Sequence, residues 1–226
     1  MTTQTQVNPT LLAYLFAENF AAPVKGLSAL VGGIVAPRSS EKVNLQTLTT
    51  TLYVSAIMEL VESGAAALEM VEVKKLFGKE NVLALALHGQ HAVSLSALAV
   101  KIAQATQAAK KPEERRVRNV VIRVVGGRQS TIHPWLMAVK PVIAEAEGAG
   151  YVIRPEKNPG PMKAMFNPLE AASGVQADPA LVNALEGSIT ALKERINRFE
   201  QSLGASAGLL RKEIVNGVND CKDNSD

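Results

Sequence analysis

The chain is expected to fold as a mainly α protein with a small β component: a helical domain carrying a winged-helix-like hairpin, followed by a long C-terminal helix. Three observations predict this. Alanine and leucine are abundant while aromatic residues make up only 4% of 226 positions, a composition that favours helices. Apolar residues recur at three- and four-residue spacing along most of the chain, the signature of amphipathic helices. Period-two or continuous apolar runs suited to strands are short, at Leu68–Val73 and Val82–Leu87. With 47% apolar and 20% charged residues the chain has the balance of a globular protein. The expected division is a mainly helical domain over 1–170 and a helical extension with a frayed tail over 171–226.

The elements follow in order. Asn8 and Pro9 open a first helix with Leu11, Leu12, Leu15 and Phe16 at helical spacing, ending near Phe20. Residues 21–43 mix Pro23, Gly26, Gly32, Gly33 and Pro37 and read as a long connection with one short apolar element at Leu27–Val35. Asn44 can cap a helix over 45–63 whose stripe is Leu45, Leu48, Leu52, Ala56 and Leu60, with Gly64 as its stop. The two runs at 68–73 and 82–87, separated by a turn at Gly78, then form a hairpin. Helix followed by hairpin is the second half of a winged-helix unit. Ser94 can cap the next helix, about 94–110, with Leu95, Leu98 and Ile102 facing inward.

The segment Val117–Val125 sets two tendencies against each other. Its five valines and one isoleucine prefer strands, whereas Val117, Val120, Val121 and Val124 fit a helical stripe. Helix is the expectation, because Pro112-Glu113-Glu114 is helix-start chemistry and a strand would put Arg118 and Arg123 on opposite half-buried faces. In that helix Arg116 and Arg123 share one flank and Arg115 and Arg118 the other. Gly126-Gly127 ends it. His133-Pro134 opens another helix, with Trp135, Val139, Val142, Ile143 and Ala146 on one face and an expected kink at Pro141. Tyr151–Arg154 reads as a short strand and the proline-rich stretch 155–178 as a loop. Asp178-Pro179 caps a long final helix with Leu181, Leu185, Ile189, Leu192, Ile196, Phe199 and Leu203 at nearly heptad spacing, interrupted at Gly204 and Gly208. One more short helix is expected around Leu209–Val218, and the polar tail from Asn219 should fray.

Charge is distributed unevenly. The whole chain carries +3, but the window from Lys110 to Arg128 holds seven bases (Lys110, Lys111, Arg115, Arg116, Arg118, Arg123 and Arg128) against Glu113 and Glu114, a local +5. Such a segment meets phosphate, on an anionic membrane surface or on nucleic acid, or else forms a solvated helix face. The helix at 45–63, which a winged-helix protein would place in a DNA groove, has no Lys or Arg, so nucleic acid is the less favoured partner.

Catalytic and metal motifs are missing from the sequence. No Gly-x-Ser-x-Gly elbow, phosphate-binding Gly-x-x-x-x-Gly-Lys loop or dinucleotide fingerprint occurs. His88 and His91 stand three apart with no acid between Asn81 and Lys111 to complete a set of ligands, so no metal site is expected. His133 is expected to be a cap or surface residue and Trp135 a core anchor. Glu145 and Glu147, two apart on a helix, diverge and read as solvated. The single cysteine, Cys221, lies in the expected frayed tail, which excludes a disulfide framework and makes a reducing, cytoplasmic setting the default. The run Leu11–Ala17 is too short for a signal peptide, and no stretch reaches the roughly 18 to 20 apolar residues that cross a bilayer.

The stretch from Leu48 to Glu69, Leu-Thr-Thr-Thr-Leu-Tyr-Val-Ser-Ala-Ile-Met-Glu-Leu-Val-Glu-Ser-Gly-Ala-Ala-Ala-Leu-Glu, pairs an apolar helix and an acid-leucine step with a glycine and a short strand. With the helix at 94–110, the segment Val117–Gly127 and Val139–Tyr151 followed by Arg154-Pro155, it resembles the Golgi phosphoprotein 3 family, especially its bacterial members, over about 45–157. The resemblance implies a mostly helical, non-enzymatic protein peripheral to membranes; eukaryotic members bind phosphatidylinositol 4-phosphate and glycosyltransferase tails, partly through arginines in the penultimate helix. Matched on Gly150, those positions are Val139 and Pro141 in this chain, with Lys140 between them. The expected function is therefore a non-catalytic peripheral adaptor without cofactor, binding an anionic phospholipid surface through the basic segment. A structural subunit that self-associates through Leu185, Ile189, Leu192, Ile196, Phe199 and Leu203 is the main alternative, and a winged-helix nucleic-acid binder the other.

Overall fold

The computed structural model describes residues 7–25, 32–74, 78–88, 95–127, 133–154 and 175–221. Side-chain caps start several of its helices. Asn8 Oδ1 accepts the Leu11 amide at 2.8 Å and Pro9 takes the first position of α1 (Pro9–Leu15), which a short 3-10 turn, Ala17–Asn19, carries on. After Pro23, which bridges to Val43, the chain forms a small antiparallel pair, β1 (Gly33–Val35) and β2 (Lys42–Asn44), with Ile34 opposite Val43. The connection over 21–43 is thus partly sheet. Its expected apolar element at Leu27–Val35 lies mostly outside the described residues, and the described end is β1.

Asn44 then caps α2 (Leu45–Glu62) through the Thr47 amide, and Gly64 follows it with φ +73. Fourteen of the eighteen residues of α2 are buried, so it is the axis of the protein. Thr50 and Thr51 fit into that interior because their hydroxyls donate back to the Gln46 and Thr47 carbonyls. The hairpin of β3 (Ala66–Lys74) and β4 (Lys79–Leu87) follows in the register Ala66↔Leu87 to Lys74↔Lys79. Its inner half, including Leu83 and Leu85, packs on the core, whereas Glu69, Met70, Glu72, Lys74 and Lys79 are exposed.

Ser96, not Ser94, caps α3 (Ala97–Gln107), and a 3-10 turn, Pro112–Arg115, leads into α4 (Val117–Val125). The valine-rich segment is a helix. It buries Val117, Val120, Val121, Ile122 and Val125 on one side and ends at Gly126 with φ +121. Arg115 and Arg116 precede the helix rather than riding on it, which corrects the expected sharing of flanks. Pro134 opens α5 (Pro134–Gly148), Pro141 lies buried within it, and β5 (Val152–Ile153) pairs with β6 (Gln176–Ala177).

The expected long C-terminal helix is two helices, and the further helix expected after it follows. Asp178 caps α6 (Pro179–Asn183) through the Ala180 amide, α7 spans Ser188–Leu203, and Gly204 at φ +54 separates it from α8 (Ser206–Asn219). Gly208 sits inside α8 and interrupts nothing. Gly217 marks the closest approach, since a β-carbon there would stand 2.7 Å from the Arg118 carbonyl oxygen and 2.8 Å from Val121 Cβ. One hydrophobic core runs from Leu11 to Cys221, with α1, α3, α5, α7, α8 and the hairpin all touching α2. Cys221 is fully buried, its thiol against the Ile122 and Gly217 carbonyls, so the chain is held past Asn219 rather than frayed. No helix among the described residues is long and apolar enough to cross a membrane.

Candidate functional site

The basic segment is built from three local structures. Lys110 and Lys111 form the turn after α3, where the Lys110 amide donates to Glu114 Oε2 at 3.1 Å. Arg115 ends the 3-10 turn. Arg116 is extended, at φ −49 and ψ 132, and bridges to Ala84 of β4 before α4 begins. That bridge aims the Arg116 side chain at α8.

Most of the arginines there are already paired within the chain. Arg116 donates from Nε and Nη2 to the two oxygens of Glu213, both at 2.6 Å, and from Nη1 to Glu80 Oε2 at 3.3 Å. The Glu213 side chain is 3% exposed and that of Arg116 16%, so this is a bidentate, largely desolvated pair. The hydrogen bond to Glu213 holds the Arg116 guanidinium above its ordinary pKa, and burial opposes it. Arg118 makes a second bidentate pair with Asp220 at 2.7 and 2.8 Å, with the same effect on its pKa. Arg123 donates to Glu114 Oε2 at 2.8 Å and reaches the Ala105 carbonyl. Arg128 lies outside the described residues. Lys110, Lys111 and Arg115 are exposed and none forms an ion pair among the described residues, although the charge of Lys111 reaches Glu114. The local +5 counts only acids close in sequence; Glu80, Glu213 and Asp220, from the hairpin and from α8, offset much of it.

The expected self-association face is likewise used inside the chain. Ile189, Leu192, Ile196 and Phe199 are buried in the protein's own core, and Leu185 and Leu203 pack half-buried against it. The helix at 45–63 presents no face to a groove, being buried nearly all round. His88 is exposed, His91 lies outside the described residues, and His133 stands at the start of α5. No group of three metal-ligating side chains occurs among the described residues. Trp135 packs half-buried at the edge of the core.

Two acids that the sequence did not single out as a pair converge on the first turn of α3. Glu59, buried at 6% exposure, accepts the Ser96 amide at 2.9 Å and the Ser96 hydroxyl at 2.7 Å. Glu145 accepts the Ala97 amide at 3.0 Å and Asn8 Nδ2 at 2.7 Å, so it is a structural acceptor rather than a solvated residue. Burial holds the Glu59 carboxyl above the usual carboxylate range, against the lowering effect of the Ser96 hydrogen bonds. The acid-leucine step at Glu59-Leu60 gave no sign of this, because Ser96 and Glu145 are remote in sequence.

Between α3 and the hairpin lies an open cleft of about 650 Å³, lined by aliphatic side chains and by the polar Gln104, Thr106, Gln107 and Arg115. Arg115 therefore sits beside apolar surface, including Val100, which is 38% exposed. No protein-family model, curated protein or solved structure matches this chain.

Proposed function

We propose that the protein is a non-catalytic peripheral adaptor that meets an anionic membrane surface through Lys110, Lys111 and Arg115. The observation that carries this reading is selective pairing: Arg116, Arg118 and Arg123 are matched with acids of the same chain, while the three cations at the turn between α3 and α4 face solvent together. Exposed cations near an anionic surface contribute about 1 kcal/mol each, so three give weak, reversible attraction that falls steeply with salt. The resemblance over residues 45–157 points the same way.

Co-sedimentation with vesicles tests it. Phosphatidylserine vesicles should carry the protein down at low salt and release it as ionic strength rises, whereas neutral vesicles should not. The triple variant Lys110→Glu, Lys111→Glu, Arg115→Glu should stay in the supernatant with an unchanged melting temperature. Sedimentation of that variant at native levels would refute the surface, and displacement of the native protein from vesicles by duplex DNA would favour nucleic acid instead.

A further inference from the structure

We infer that the cleft between α3 and the β3–β4 hairpin binds a fatty acid, its carboxylate on Arg115 and its chain along the aliphatic part of the floor. This goes beyond the membrane reading and shares only Arg115 with it. The cleft, about 650 Å³, falls within the roughly 300 to 1,000 Å³ of small-molecule sites. Its floor comes from separate elements: Leu60 of α2, Leu87 of β4, Leu95 ahead of α3, and Val100 and Ala103 on α3. These are aliphatic, Gln104, Thr106 and Gln107 of α3 complete the wall, and no ring lines the cleft on which a base or aromatic ligand would stack.

Charge complementarity identifies the head group. Two further clefts in the protein also have an arginine at the edge, and in both the charge is answered from within the chain. Arg195, beside the cleft of α1 and α7, pairs with Glu62. Arg154, beside the smaller cleft on α5, pairs with Glu147. Arg115 has no such partner among the described residues. A guanidinium next to an aliphatic trough matches a planar carboxylate on a hydrocarbon tail, because the fork binds both oxygens while the tail leaves water.

Displacement of a fluorescent fatty-acid analogue by laurate, kept below its micelle-forming concentration, tests the assignment. Laurate should displace the probe and dodecyl maltoside, with the same tail and a neutral head, should not. Arg115→Glu should weaken laurate by at least about tenfold. Ala103→Trp, which fills the trough, should abolish binding; Val100→Glu, at an exposed position with little effect on folding, should weaken it by a similar factor and serves if the tryptophan variant misfolds. Lys110→Glu with Lys111→Glu should leave laurate affinity unchanged while vesicle binding falls. Equal displacement by dodecyl maltoside, or native laurate affinity in both Ala103→Trp and Val100→Glu, would overturn the inference. Ala103→Trp should still sediment with anionic vesicles, so that loss of the fatty-acid site and loss of the membrane surface are read separately.

Discussion

Removing the Arg116 guanidinium would leave the Glu213 carboxylate, 3% exposed, without its two 2.6 Å donors. A buried charge stripped of its partner costs about 3 to 5 kcal/mol. Arg116→Ala should therefore lower stability in urea titration by an amount of that order, reduced because water reaches the pair beside Glu80, whose side chain is 33% exposed. Arg116→Met combined with Glu213→Leu, which removes both charges, should recover most of it. Reversal of Arg116 is consequently a test of folding, not of ligand binding. Glu59 has the opposite character. Its carboxyl is held above its ordinary 4.5 in the folded protein, so the native state binds this proton more tightly than the unfolded chain does. The stabilisation from that proton is complete below pH 4.5 and is lost as pH rises through the higher folded value. Glu59→Gln keeps an acceptor for Ser96 and cannot ionise. It should be at least as stable as the native protein at pH 7, and its stability should vary less between pH 4.5 and neutrality, as measured by chemical denaturation across that range.

At the scale of elements, Gly217 decides how α8 lies on α4. Any β-carbon would come within 2.7 Å of the Arg118 carbonyl oxygen, a backbone atom that cannot swing aside. Gly217→Val should separate the two helices, strain both bidentate pairs beside them and cost about 1 to 3 kcal/mol; a thermal melt and the near-ultraviolet spectrum check it. Helix beginnings and ends were the most readable elements because their chemistry is local. Asn8, Asn44 and Asp178 each cap the helix that the sequence assigns them, and Gly64 and Gly126 stop the helices before them. The valine-rich α4 was readable for the same reason, from its stripe and from the proline and acids that precede it. The final helix was misread because an apolar repeat continues through residues 184–187, and spacing alone does not register that the backbone leaves the helix there. Ser94 was the expected cap of α3; the cap is Ser96, whose amide Glu59 receives from a distant part of the chain.

For the whole molecule, the weight of the fold rests on α8. It packs on α2, α4 and α5, and its Leu210, Ile214, Val218 and the following Cys221 are fully buried. A chain ending at Ala205 should lose its cooperative thermal transition by circular dichroism, not merely a few degrees of melting temperature, since it exposes the α2 and α4 faces together and orphans Arg116 and Arg118. Fold class was legible because composition and periodicity act over the whole chain. The site was not, because what neutralises the basic segment lies 97 and 102 residues away in sequence, and charge counted in a window does not see it. The placement of α8 has a further consequence for how the protein is made. Synthesis runs from the N-terminus, so α1 to α7 are made before Glu213, Gly217 and Asp220 have been joined to the chain. Throughout that interval the apolar sides of α2 and α4 are wet and Arg116 and Arg118 are uncompensated. Completion of the native structure therefore waits on α8, and until it is made the nascent chain exposes apolar surface of the kind that aggregates.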